Sequence, residues 1–170
     1  GKAGLTMLLA RLMNEGAGEL PAKAFQQAMA DNVVSLSFDA SRDHLTGTLR
    51  CLSQYRHMCL TLLRKAVTAP RFDDEAVARM KQEQQVAILR AQQSPRSIAN
   101  QALMQMAFGT HPYGQKKNGS NKTLTAISTA DVRAHYHAIF ARDSLKLAVV
   151  GDISRSQLRR LIGDVFGPLP

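Results

Sequence analysis

From Leu5 to Met13 the apolar residues recur at helical spacing, and the run stops at Asn14-Glu15-Gly16-Ala17-Gly18, where two glycines can end a helix. Behind Pro21, a residue tolerated in a helix's first turn, Ala22 to Met29 places Ala24, Phe25, Ala28 and Met29 on one face. The period then changes from helical to alternating. Val34 to Asp39 alternates, and Leu45 to Leu52 has Leu45, Gly47, Leu49 and Cys51 on one side, which predicts an antiparallel pair. Helical patterns return from Ser53 to about Thr68, closed by Ala69-Pro70, and from Asp73-Asp74-Glu75 to about Gln93, where early acids suit the positive end of the helix dipole. Pro95 marks a break, a further helix runs from about Arg96 to Phe108, and the Gly- and Lys-rich stretch from Gly109 to Lys122 reads as a loop. The last unit is helix, strand, helix. Thr129 caps Ala130 to Phe140, Leu145 to Val150 is a nearly continuous apolar strand, and Ser154 starts a helix that ends at Gly167-Pro168.

Helices outnumber strands and do not alternate with them regularly, so the fold class is α+β, with an antiparallel-rich sheet covered by helices mainly on one face. Residues 1–170 form a single domain, since no repeat, low-complexity tract or linker interrupts the pattern. Three strands make a thin sheet, and the expectation is that further strands lie upstream of Gly1.

Composition narrows the class. A chain of 170 residues that is 45% hydrophobic and 21% charged can build a core and is too apolar for disorder. The longest apolar runs fall far short of the roughly 20 residues that cross a bilayer. The first residues lack a secretory signal and run directly into a helical pattern, as expected of a segment that starts inside a structure. Cys51 and Cys59 are the only cysteines, separated by seven residues, which gives no zinc-type spacing and reads as two buried free thiols. The net charge of +9 is uneven: residues 1–85 carry 11 basic and 9 acidic groups, residues 86–170 carry 11 and 4. Such a field could attract nucleic acid, an anionic surface or acidic peptides. The basic residues are dispersed without interleaved aromatics to stack bases, and nucleic-acid binding is not expected.

No catalytic constellation emerges from spacing alone. His44 begins a strand, His57 lies in a helical run without an acidic residue three or four positions either side, His111 is in a loop, and His135 and His137 are two apart on a helix, facing away from one another. Ser35, Ser37 and Ser53 have no nucleophile elbow, Gly16-Ala17-Gly18 is not a dinucleotide loop, and Lys116-Lys117-Asn118-Gly119 is not a phosphate loop.

Several segments together are similar to the pitrilysin/insulinase metallopeptidase family in order and spacing. They are Phe108-Gly109-Thr110-His111-Pro112-Tyr113-Gly114 followed by Gly119, Ile127-Ser128-Thr129-Ala130-Asp131-Val132, Leu147-Ala148-Val149-Val150-Gly151-Asp152 and the terminal Phe166-Gly167-Pro168-Leu169-Pro170. Pro70-Arg71-Phe72 and Pro95 also fall where that family's pattern has them. Active members carry H-x-x-E-H on the first helix, two zinc-binding histidines and a general-base glutamate. Aligned through Gly4-Leu5 and Gly16, those positions are Met7, Ala10 and Arg11, and the third ligand, a glutamate, falls on Ala87 or Ile88. The chain resembles the family's non-catalytic units of the mitochondrial-processing-peptidase-like bacterial type, through Leu12 to Gly18 and Ser37 to Asp43.

That resemblance implies a clam-shell in which an inactive unit faces an active one across a chamber for peptide substrates. It implies strands upstream of the first helix, a second similar domain after Pro170, a bacterial periplasmic setting, and no zinc in this domain. Catalytic zinc would then belong to the active homologous subunit or domain, whose H-x-x-E-H lies elsewhere in the same chain or on a partner. Arg11, Lys116 and Lys117 are the candidate chamber or substrate contacts, and the basic second half would favour acidic or negatively ended peptides.

Overall fold

The computed structural model describes residues 2–170. The first helix, α1 (Leu5–Leu12), is followed by a minimal hairpin of β1 (Gly16–Ala17) and β2 (Leu20–Pro21), then α2 (Ala22–Asp31). A longer antiparallel hairpin pairs β3 (Ser35–Ala40) with β4 (Leu45–Arg50), in the register Ser35 opposite Arg50 and Ala40 opposite Leu45. After a 3-10 turn, α3 (Arg56–Thr68) leads to the long α4 (Asp74–Gln93) and to α5 (Pro95–Phe108). The chain closes with α6 (Asn121–Ala126), α7 (Thr129–Ile139) and α8 (Arg155–Phe166). The class is α+β. No helix among the described residues is long and apolar enough to cross a membrane.

The core is organised around α1. Leu8, Leu9 and Leu12 are fully buried among Val77, Met80 and Ile88 of α4, Leu124 of α6, and Val132 and Tyr136 of α7. A second cluster sits under the hairpin, where Phe25 and Met29 of α2 meet Leu36 of β3 and Leu62 and Ala66 of α3. The glycine stretch after α1 does more than end a helix. Ala17 bridges Pro70, Gly18 N–H donates to Ala69 O at 2.8 Å, and Arg71 N–H donates to Gly16 O at 3.2 Å, so β1 fastens the turn between α3 and α4. Beyond it, Phe72 takes φ 52°, which is costly for a bulky residue, and the turn is held by packing. The Phe72 ring lies edge-on to Tyr136 at 5.7 Å, while the Arg133 guanidinium lies over the ring, 5.7 Å from its centre, and donates to Arg71 O and Phe72 O at 2.7 and 3.2 Å.

Four expectations are corrected. Leu145 to Val150 does not form a strand: it runs without a ladder partner among the described residues, and Val149 and Val150 are 49% and 100% exposed. A strand cannot satisfy its own backbone, so an apolar run without a neighbouring edge remains unpaired. It borders a groove of about 1220 Å³, walled by β4, α3, α7 and α8. Val34 lies outside β3, which begins at Ser35, because the chain leaves α2 through Val33 at φ 52°. Cys59 is buried but Cys51 is exposed, because β4 ends at Arg50 and Cys51 faces the groove. Finally, part of the stretch read as a loop is ordered: a 3-10 turn spans Pro112–Gly114, and α6 starts at Asn121 on a capping box between Ser120 and Thr123.

Candidate functional site

The positions of interest lie at the start of α1. Gly4, at φ 94°, forms the N-cap, a conformation open to glycine and strained for other residues. Its carbonyl and that of Asn118 both accept from Gln84 Nε2, at 3.1 and 3.0 Å. A Cβ on Gly4 would stand 2.5 Å from Asn118 O, so α1, α4 and the loop before α6 close on one another there. Gln84 is fully buried, and its Oε1 has no partner among the described residues.

Met7 and Ala10 are buried on the face of α1 toward the hairpin, where they pack with Ala40, Phe38 and Leu45. Arg11, one position further, swings to α4 and stands with Nη1 4.0 Å from Glu83 Oε2. Its Nε is buried without a partner among the described residues. On α4, Ala87 is half-buried and Ile88 belongs to the core with Leu8, Leu9 and Leu12. The α4 residues that meet the polar side of α1 are therefore Glu83 and Gln84, about one turn before Ala87 and Ile88.

These residues do not fit a zinc ion. A thioether inside an apolar cluster and a methyl group supply no imidazole or carboxylate, and a guanidinium is a fixed positive charge. No group of three His, Cys, Asp or Glu side chains among the described residues converges on a possible metal position. One imidazole does approach α1: His135 Nε2, from α7, lies 2.8 Å from Thr6 Oγ1, and burial holds this histidine below its ordinary pKa. It stands alone, with a hydroxyl for company.

Lys116 and Lys117 lie beside the start of α1, in the loop after the Pro112–Gly114 turn. They line a cavity of about 200 Å³ together with Met7, Lys2 and Arg42, and Arg11 is outside it. Arg42, in the turn between β3 and β4, donates through Nη1 to Gln115 O at 3.1 Å and to Pro112 O at 3.4 Å, and its guanidinium lies 5.8 Å from the Tyr113 ring centre. Tyr113 in turn donates its hydroxyl to Asp43 at 2.5 Å, and this bond raises the phenol's pKa. Sequence spacing could not reveal Arg42 here, since its partners lie some 70 positions away. The only local signal is the basic residue in Ser41-Arg42-Asp43, the turn between two strands.

A family model described as Insulinase (Peptidase family M16) matches residues 1–120. The chain belongs to this family. It is 26% identical over 167 residues to the non-peptidase homolog YmxG of Helicobacter pylori (strain ATCC 700392 / 26695), covering 98% of this chain and 39% of that protein. The structure of a peptidase M16 inactive domain from Pseudomonas fluorescens superposes with a TM-score of 0.93 at 29% identity, covering all of this chain and 42% of that one. The periplasmic protease PqqL of Escherichia coli superposes with a TM-score of 0.73 at 17% identity over 98% of this chain and 19% of its own, a likeness of fold alone. The chain thus spans about two fifths of the length of the first two relatives. In this member of the M16 family, the α1 positions Met7 and Ala10 are taken up by packing against Ala40, Phe38 and Leu45.

Proposed function

We propose that this M16 domain is a non-catalytic unit that forms part of the wall of a peptide-substrate chamber and supports an active peptidase domain or subunit. The observation that carries this reading is the apolar closure of α1, Met7 and Ala10 against Ala40, with Arg11 turned toward Glu83. A relative named a non-peptidase homolog and another described as an inactive domain agree with it. In this reading zinc belongs to the active partner, in cis or in trans, and the setting is periplasmic, as it is for PqqL. The groove beside Leu145 to Val150 receives strands from elsewhere in the parent protein, which would give that run its ladder.

The test has two parts. Purified protein, dialysed against zinc and washed, is assayed for bound metal and for peptide cleavage, and both are expected at background. Mixed with an active M16 partner, it is expected to raise peptide cleavage by that partner. Stoichiometric zinc with chelator-sensitive cleavage by this chain alone would overturn the proposal.

A further inference from the structure

The small cavity beside Met7 has a composition that the chamber-wall role does not require. Its lining comes from the start of α1, the turn after β3 and the loop Pro112 to Lys117, and among the described residues it includes four cations, Lys2, Arg42, Lys116 and Lys117, and no carboxylate. Most surface lysines are simply solvated, so their placement has to be weighed one by one. Arg42 is held in position by two carbonyl oxygens and the Tyr113 ring, and carbonyls leave its charge uncompensated. Neither Arg42 nor Lys116 has an ion-pair partner among the described residues. Lys117 reaches only Asp39, at 3.9 Å between two exposed groups, while Lys2 pairs with Asp131. Asp43, the acid nearest in sequence to Arg42, accepts the Tyr113 hydroxyl and lies outside the lining.

The backbone adds to the same potential. Gly4, Leu5, Thr6 and Met7 line the cavity, and although the Leu5 N–H donates to Lys2 O at 3.1 Å, the first turn of α1 has no side-chain cap and no acid, so the positive end of this helix adds to the potential beside the cavity. A concave site lined by one sign of charge concentrates its field. About 200 Å³ accommodates a carboxylate or a phosphate group and excludes a folded partner.

We infer that this cavity binds a single oxyanion group, and that in the protein's working state the group is a carboxylate of a peptide, held by Lys116, Lys117 and the fixed Arg42. The choice of a peptide as the source rests on the chamber-wall reading; oxyanion binding by the cavity does not.

The experiment is calorimetric titration of the full chain, without any partner, using a short peptide with a free terminal carboxylate, the same peptide amidated, and inorganic phosphate. A Lys116→Gln/Lys117→Gln double variant is run in parallel. Both lysines are exposed, and an unchanged thermal midpoint confirms that the variant is folded. The expected result is binding of the free acid about tenfold tighter than the amide, weakened by salt and lost in the variant. Equal binding of acid and amide overturns the peptide assignment, including the case in which phosphate alone binds and marks a site for a free anion. Unchanged binding in the folded variant overturns the cavity as the site. Carboxylate binding that persists while the chain has no effect on an active partner's cleavage would count against the chamber reading and leave the cavity assignment standing.

Discussion

Two apolar stretches of this molecule reach opposite ends. Leu8, Leu9 and Ala10 on α1 are at most 1% exposed, whereas Val149 and Val150 are 49% and 100% exposed. Hydrophobicity does not separate them. A helix pairs its own backbone groups internally and needs only side-chain neighbours, which α4, α6 and α7 supply around α1. An extended run must find both an edge for its backbone and a surface for its side chains. Around Leu145 to Val150 the walls of a large groove provide surface, but no strand among the described residues provides the edge. Burial here is decided by the availability of a partner as much as by the residues themselves.

The largest expected effect breaks this comparison directly. Leu8→Ala should destabilise the chain by about 3 kcal/mol or more, because a fully buried side chain on a packed helix leaves a cavity when it is truncated. Val150→Ala should shift stability by no more than about 0.5 kcal/mol, since the residue is fully exposed. Urea unfolding of both variants measures the contrast, and similar losses at the two sites would show that the groove side is packed after all.

A smaller effect sharpens the account of how α1 is held. Gly4→Ala combines an unfavourable φ with a Cβ placed 2.5 Å from Asn118 O, and should cost about 2 kcal/mol. Gly109→Ala is the control: φ is also positive, 51°, but nothing lies within 4 Å of a new Cβ, and the cost should stay near 1 kcal/mol. If thermal melting ranks the two the other way, the junction of α1, α4 and the Asn118 loop is looser than its geometry implies.

The same distinction explains what was legible in the sequence. The eight-residue α1 and the long α4 announce themselves through period and flanking residues, and the β3–β4 pair through alternation, because each depends on neighbours close in sequence. Errors at their ends come from capping: the pattern points to Thr129 as a cap, whereas the side chain that accepts from the helix is Ser128. β1 and β2, two residues each, were invisible because Ala17 is secured by Pro70, more than fifty positions away. α6 was hidden for the opposite reason: it is short and polar, and its one signal was the Ser120 and Thr123 box. The site divides in the same way. Met7, Ala10 and Arg11 share one helix, so their common placement on α1 follows from local spacing, whereas Gln84 and Arg42 matter through what they touch across long separations. No period encodes such meetings.

The smallest expected effect concerns a charge tether found on the α1 side. Asp131, in the first turn of α7, accepts a hydrogen bond from Lys2, just ahead of α1, and from the Ser128 N–H at 2.9 Å. These partners, Lys2 foremost, hold its carboxyl at about 2, below the ordinary value of 3.8. Because the folded value is depressed, the group contributes stability that is fully present above the unfolded value, and that stability is lost as pH falls from about 4 through about 2. Its side chain is still partly open to solvent, which keeps the effect small and sensitive to salt. Asp131→Asn should therefore flatten the decline of stability between those pH values and leave the remaining pH dependence intact, with the difference shrinking in high salt. Urea midpoints for both proteins, taken across that range at low and high salt, check it. An asparagine variant that follows the parent's slope would mean that Lys2 does not link α7 to the approach of α1, and that apolar packing alone distinguishes the closed side of the molecule from the open one.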